Sequence, residues 1–180
     1  MKNQITKPKS RIIHIVAACL VLAVLGPPAA ELSRASDGRG GPPEHVNVTF
    51  FLPGMCADFN VRVDGRGIGG VISLPGGNLL LTFGGFNTFT NLSDPSKSVT
   101  LSVAGAGNVY TDENGNMVIH NSGYNNLWGP SLGIWDLVGE WTFVLDPDGN
   151  LICPPGATCT QFTDYVTGNG QIIDVCALIQ

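Results

Sequence analysis

The sequence predicts an all-β domain: an antiparallel meander of roughly eight to ten strands, closed or nearly closed into a small barrel. Three observations carry this expectation. From Val46 onward, apolar and polar residues alternate, the period of a half-buried strand. Turn-forming clusters recur about every ten residues. No stretch beyond the N-terminal region sustains a capped 3.6-residue period. A two-sheet β-sandwich would satisfy the same pattern and is the alternative.

The chain begins with an address. Residues 1–30 hold four basic side chains (Lys2, Lys7, Lys9, Arg11) and no acidic ones, and residues 12–25 are an apolar run of 14 residues interrupted only by His14. Gly26-Pro27-Pro28 and the small residues Ala29 and Ala30 close it. This order is that of a secretory signal peptide, assigned to residues 1–35. The run falls short of the roughly 20 apolar residues a membrane span needs. Cleavage is placed after Ala30 or Ala35, the latter with Ser33 as the small residue two before it. Val16-Ala17-Ala18-Cys19 matches a lipoprotein box, but the apolar run continues past Cys19 to Leu25, where a lipobox should end it. Residues 36–45 have no periodicity and read as a flexible leader. Residues 46–180 form the single β domain.

In that domain Val46, Val48 and Phe50 form the first alternating set, and Phe59, Val61 and Val63 the second and clearest. Val99, Leu101 and Val103 follow, then Trp141, Phe143 and Leu145. Phe162 and Val166 share a face with Asp164; residues 172–179 are apolar on both faces and predict a central strand. Turn signals lie at 75–78, 94–96, 112–116 and 146–150. Their Asn-Gly and Asp-Gly pairs supply the positive φ that tight hairpins need. A short helical turn is allowed only at 132–137. The segment 124–141 breaks the alternation and reads as a long loop folded over one barrel mouth.

Charge and cysteines bound the function. The chain carries a net charge of −5. Residues 31–180 hold 5 basic against 14 acidic side chains, a balance of −9. That leaves no electrostatic footprint for nucleic acid and disfavours anionic membrane surfaces once the signal is removed. With Cys19 cleaved away, four cysteines remain, an even count that implies disulfides in an exported chain. Cys153 and Cys159 close a compact loop, while Cys56 and Cys176 stand near the two ends of the regular chain. The expected pairs are 153–159 and 56–176. A zinc site is disfavoured, because the spacing is not C-x₂-C and no histidine lies near 153–159. No metal and no cofactor are expected.

Candidate site residues follow from chemistry. Segment 124–141 holds Tyr124 and all three tryptophans, Trp128, Trp135 and Trp141. Aromatics in an irregular, Asn- and Gly-rich stretch suit an apolar small molecule or a sugar. The ligand-binding candidates are therefore Tyr124, Trp128 and Trp135, with Trp128 the most exposed and Trp141 in the core. The Asp-rich turns at 112–116 and 146–150 resemble the opening of a calcium loop, but the twelfth positions are Gly123 and Ala157, not Glu. His120 has no Gly-x-Ser-x-Gly serine to serve. Asp164, Asp174, Asp136 and Glu140 are the carboxylates that could pair in an interior. The sequons at Asn47 and Asn91 matter only in a eukaryotic host, and the signal peptide has a bacterial character.

The strand opening Cys56-Ala57-Asp58-Phe59-Asn60-Val61, the segment Asn91-Leu92-Ser93 leading into Lys97-Ser98-Val99-Thr100, and the closing Val175-Cys176-Ala177-Leu178 resemble a group of secreted bacterial β-rich proteins. These share an early cysteine strand and a terminal V-C-A-L strand. The resemblance covers residues 56–180. It implies export, an antiparallel β fold and the 56–176 bridge, and it implies no activity. Cys153 and Cys159 depart from the group's pattern.

Two functions are expected. One is a secreted, disulfide-stabilised, non-enzymatic module that binds a small molecule, a carbohydrate or an envelope component. The other is a small cofactor-free β-barrel enzyme, an isomerase, cyclase or glycosidase, using interior carboxylates. Oligomeric state is not legible. The address makes the first testable statement: exported protein should begin between residues 29 and 36 on N-terminal sequencing, and exported protein beginning at Met1 would refute the signal.

Overall fold

A computed structural model describes residues 43–129 and 133–180. The signal peptide, the cleavage sites, Cys19 and most of the leader lie outside the described residues.

The fold is all-β, as the alternation requires: one antiparallel sheet of eight strands. These are β1 (Glu44–Leu52), β2 (Val61–Ser73), β3 (Leu79–Asn91), β4 (Ser98–Ser102), β5 (Gly105–Thr111), β6 (Met117–Gly129), β7 (Gly133–Leu145) and β8 (Thr167–Asp174). β1 starts at Glu44, two residues inside the segment read as leader. The order is β1-β2-β3-β5-β6-β7-β8, with β4 also on β3. The sheet is not closed, so the expected barrel does not form, nor does it divide into a two-sheet sandwich.

The turn signals hold. Residues 75–77 form a 3-10 turn joining β2 to β3. At 112–116 the Asp112 carboxylate accepts the backbone N–H of Asn114 and Asn116. At 146–150 Asp146 accepts those of Asp148 and Asn150. These carboxylates complete Asx turns.

β4 and β5 are two halves of one interrupted strand. β3 pairs with β4 over Phe86–Thr90 and with β5 over Leu79–Phe83. β6 follows β5 only to Gly123, and beyond that its distal half pairs with β7. That half crosses the face of β1–β3: Trp128 packs on Phe50 and Phe89, with ring centroids 5.4 and 6.4 Å apart. Here the sequence reading fails. Residues 124–129 and 133–141 are not loop but the paired far ends of β6 and β7, and 133–137 is strand rather than a helical turn. The alternation changes phase at the cross-strand pair Gly123↔Gly139, whose φ values are +85° and +122°. Before Gly123, odd residues such as Ile119 and Asn121 face the interior; after it, even residues such as Asn126 and Trp128 do. A regular period-two template cannot follow that switch.

The expected central strand at 172–179 is corrected too. β8 is the edge strand and ends at Asp174, whose carboxylate accepts the Ala177 N–H and caps the helix α1 (Val175–Leu178). Phe162–Tyr165 is a 3-10 turn, not a strand.

Two apolar cores result. One gathers Phe50, Leu52, Val61, Val63, Phe89, Ile134, Val175 and Ile179. The other gathers Leu81, Val109, Ile119, Leu137, Trp141, Phe143, Phe162 and Val166. Both expected disulfides are present, 56–176 with Cα atoms 5.6 Å apart and 153–159. The first links the β1–β2 loop to α1, the two ends of the open sheet. Asn91 adds to this tie by donating to the Ile179 carbonyl at 3.0 Å. Among the described residues no helix is long and apolar enough to cross a membrane.

Chain-entropy arithmetic separates the two bridges: closing about 120 residues is worth about 5 kcal/mol and the short loop about 2 kcal/mol. Urea unfolding of the Cys56→Ala/Cys176→Ala and Cys153→Ala/Cys159→Ala variants should show the first pair losing more. The reverse order would refute the assignment of the sheet tie to Cys56–Cys176.

Candidate ligand-binding cavity

Where the distal β6–β7 hairpin crosses β1–β3, the two layers leave a cavity of about 80 Å³. A single water needs roughly 10–15 Å³ measured this way, so the space suits a few waters or one compact molecule. Apolar walls come from Val46 and Val48 on β1, Leu81 and Phe83 on β3, and Trp128 on β6. Tyr124, Ile68 and Arg66 are exposed and line the mouth.

The polar groups are amides. Asn87 Nδ2 donates to Asn126 Oδ1 at 2.9 Å, and Asn126 Nδ2 donates to Asp136 Oδ1 at 2.8 Å. This ladder joins β3, β6 and β7 between the two apolar cores. Asp136 is 2 % exposed. Burial raises its pKa above the ordinary carboxylate value, and the Asn126 N–H pulls the other way. Asn121, 7 % exposed, lines the same cavity from β6.

The expected site residues divide. Tyr124 and Trp128 both line the cavity. Trp128 does not stand free on a loop; it lies on β6, half-buried against Phe50 and Phe89. Trp135 is not among the cavity-lining residues and stacks on Phe162 at 5.5 Å. Trp141 is core, as expected. Asp164 does not face the interior: its carboxylate accepts the Thr160 and Gln161 N–H groups, which hold its pKa low. Asp174 caps α1, and Glu140 is exposed. His120 meets the Thr142 hydroxyl at 2.8 Å. Among the described residues no three His, Cys, Asp or Glu side chains cluster to hold a metal ion.

Asn87, Asn121 and Asn126 were missed in the sequence. Their signal was faint: asparagine is depleted in strands, and three of them sit at inward positions of long strands.

No family model matches the chain, and no curated protein or solved structure is significantly similar to it.

Asp136 makes the site pH-sensitive in a defined direction. Its folded-state pKa is raised, so its stabilisation is full below the unfolded-state value and is lost as pH rises through the folded-state value. Asp136→Asn keeps an acceptor for Asn126 and removes the titration. Urea unfolding from pH 3.5 to 7 should show the variant gaining stability relative to wild type as pH rises. A constant difference would refute the raised pKa.

Proposed function

We propose that this chain is a secreted, disulfide-stabilised, non-enzymatic module that takes a compact, mostly apolar molecule into the cavity between β1–β3 and the distal β6–β7 hairpin. The observation that carries the reading is the cavity itself: apolar walls interrupted by a few amides, the general make-up of small-molecule sites. The signal-peptide pattern and two disulfides are consistent with an oxidising, extracellular setting.

A small molecule is favoured over a sugar platform. Stacking a sugar needs an open ring face, and Phe50 and Phe89 pack on Trp128. The enzyme alternative needs paired interior carboxylates. Asp164 and Asp174 serve as caps, which leaves Asp136 as the buried candidate, with an asparagine rather than a second acid as its partner.

NMR titration with toluene tests the reading. Expected shifts centre on Val48, Leu81 and Trp128, and Val48→Phe, which fills the space, should weaken binding about tenfold or more. Absence of binding to wild type by every compact probe, toluene included, would overturn the proposal. Native mass spectrometry of exported protein should also show a retained small molecule.

A further inference from the structure

The cavity carries two asparagines built in the same way on two walls. Asn87 lies directly across from Gly65 in the β2–β3 register, and Asn121 directly across from Gly107 in the β5–β6 register. A methyl group at Gly65 would come 2.8 Å from Asn87 Oδ1, and one at Gly107 would come 2.8 Å from Asn121 Oδ1. In each pair the glycine makes room for the amide. Burying an amide without a partner costs free energy, so such room needs a reason.

The Asn121 amide has no hydrogen-bond partner among the described protein groups, although the residue is 7 % exposed. Neither of its polar atoms is fully sealed off, and the residue lines the cavity. Asn87 is constrained differently. Asp136 Oδ1 accepts from Asn126 Nδ2, so Asn126 turns its NH₂ to Asp136 and its carbonyl to Asn87. Asn87 must then donate to Asn126, which leaves its own carbonyl without a partner among the described protein groups. The ladder thereby sets the polarity of Asn87: an acceptor at one wall, with a donor–acceptor amide at the other. Arg66 is the charged residue among those lining the cavity, and it stands exposed at the mouth, so an occupant that is itself a cation gains no partner inside.

Resting on the binding reading above, we infer that the occupant is an uncharged compact molecule carrying an N–H or O–H donor beside an acceptor, as in a lactam or amide, held by Asn121 and Asn87. Asn121 is the specificity-determining residue.

The test uses three probes of similar size: 2-pyridone (a cyclic amide), toluene and cyclohexylammonium. Dissociation constants are measured by NMR on wild type and on Asn121→Leu. Removing the amide should raise the ratio of the 2-pyridone constant to the toluene constant by about tenfold or more, the worth of one well-made hydrogen-bond pair. An unchanged ratio, with toluene still bound, overturns this inference and leaves the binding reading intact. Failure of all three probes to bind wild type overturns both. Tighter binding of cyclohexylammonium than of 2-pyridone overturns the uncharged assignment. Should Asn121→Leu fail to fold, the Asn121 NH₂ resonances of wild type decide: 2-pyridone should move them and toluene should not. Equal movement by both overturns the inference.

Discussion

The architecture depends on how closely the backbones of neighbouring strands approach along one line across the sheet. Three cross-strand pairs, Gly67↔Gly85, Gly105↔Gly123 and Gly139↔Gly170, lie on it. A methyl group at any of the six would fall 1.9–2.6 Å from a backbone oxygen across the pair. No side chain survives at such a distance, so only glycine permits the sheet to curl sharply there. The curl carries the far end of β6–β7 over β1–β3. Without it Trp128 would not reach Phe50, Asn126 would not reach Asn87, and the layers would enclose nothing.

This explains what was legible in the sequence. The turns at 112–116 and 146–150 were readable because an Asx turn is a local device, fixed by residues within four positions of each other. Both disulfides were readable from the count of four and from their placement. The edge position of β8 and the capped helix α1 were not: an apolar run such as 172–179 fits a strand equally well until Asp174 is seen accepting the Ala177 N–H. The strand segments 124–129 and 133–141 were taken for a loop because their alternation reverses at Gly123 and Gly139. The cavity was least legible of all. Asn87 and Asn121 matter through the glycine opposite each, and register between strands is a property of the fold rather than of neighbouring residues.

The polar ladder has a structural consequence of its own. Apolar clusters pack in many nearly equivalent ways, whereas a chain of amides ending in a carboxylate has one sensible arrangement. Asn87, Asn126 and Asp136 join β3 to the β6–β7 pair, which is distant from it in sequence, and each contact depends on the previous one being oriented. The ladder thus selects one crossing of the hairpin over β1–β3 among those that would bury similar area. The carboxylates at the surface serve local roles instead: Asp112 and Asp146 shape turns, and Asp164 and Asp174 cap short helical turns.

The Cys56–Cys176 bridge sits where an open sheet is weakest, at its two ends. Cys176 follows Cys56 by 120 residues, so the clasp can close only after the strands between them have been made. In a reducing compartment the ends are held by packing and a few hydrogen bonds alone, Asn91 to Ile179 among them. Oxidation converts that loose edge into a fixed one. Closing the clasp therefore depends on the redox character of the surroundings: an oxidising one fixes the two ends that packing alone holds loosely.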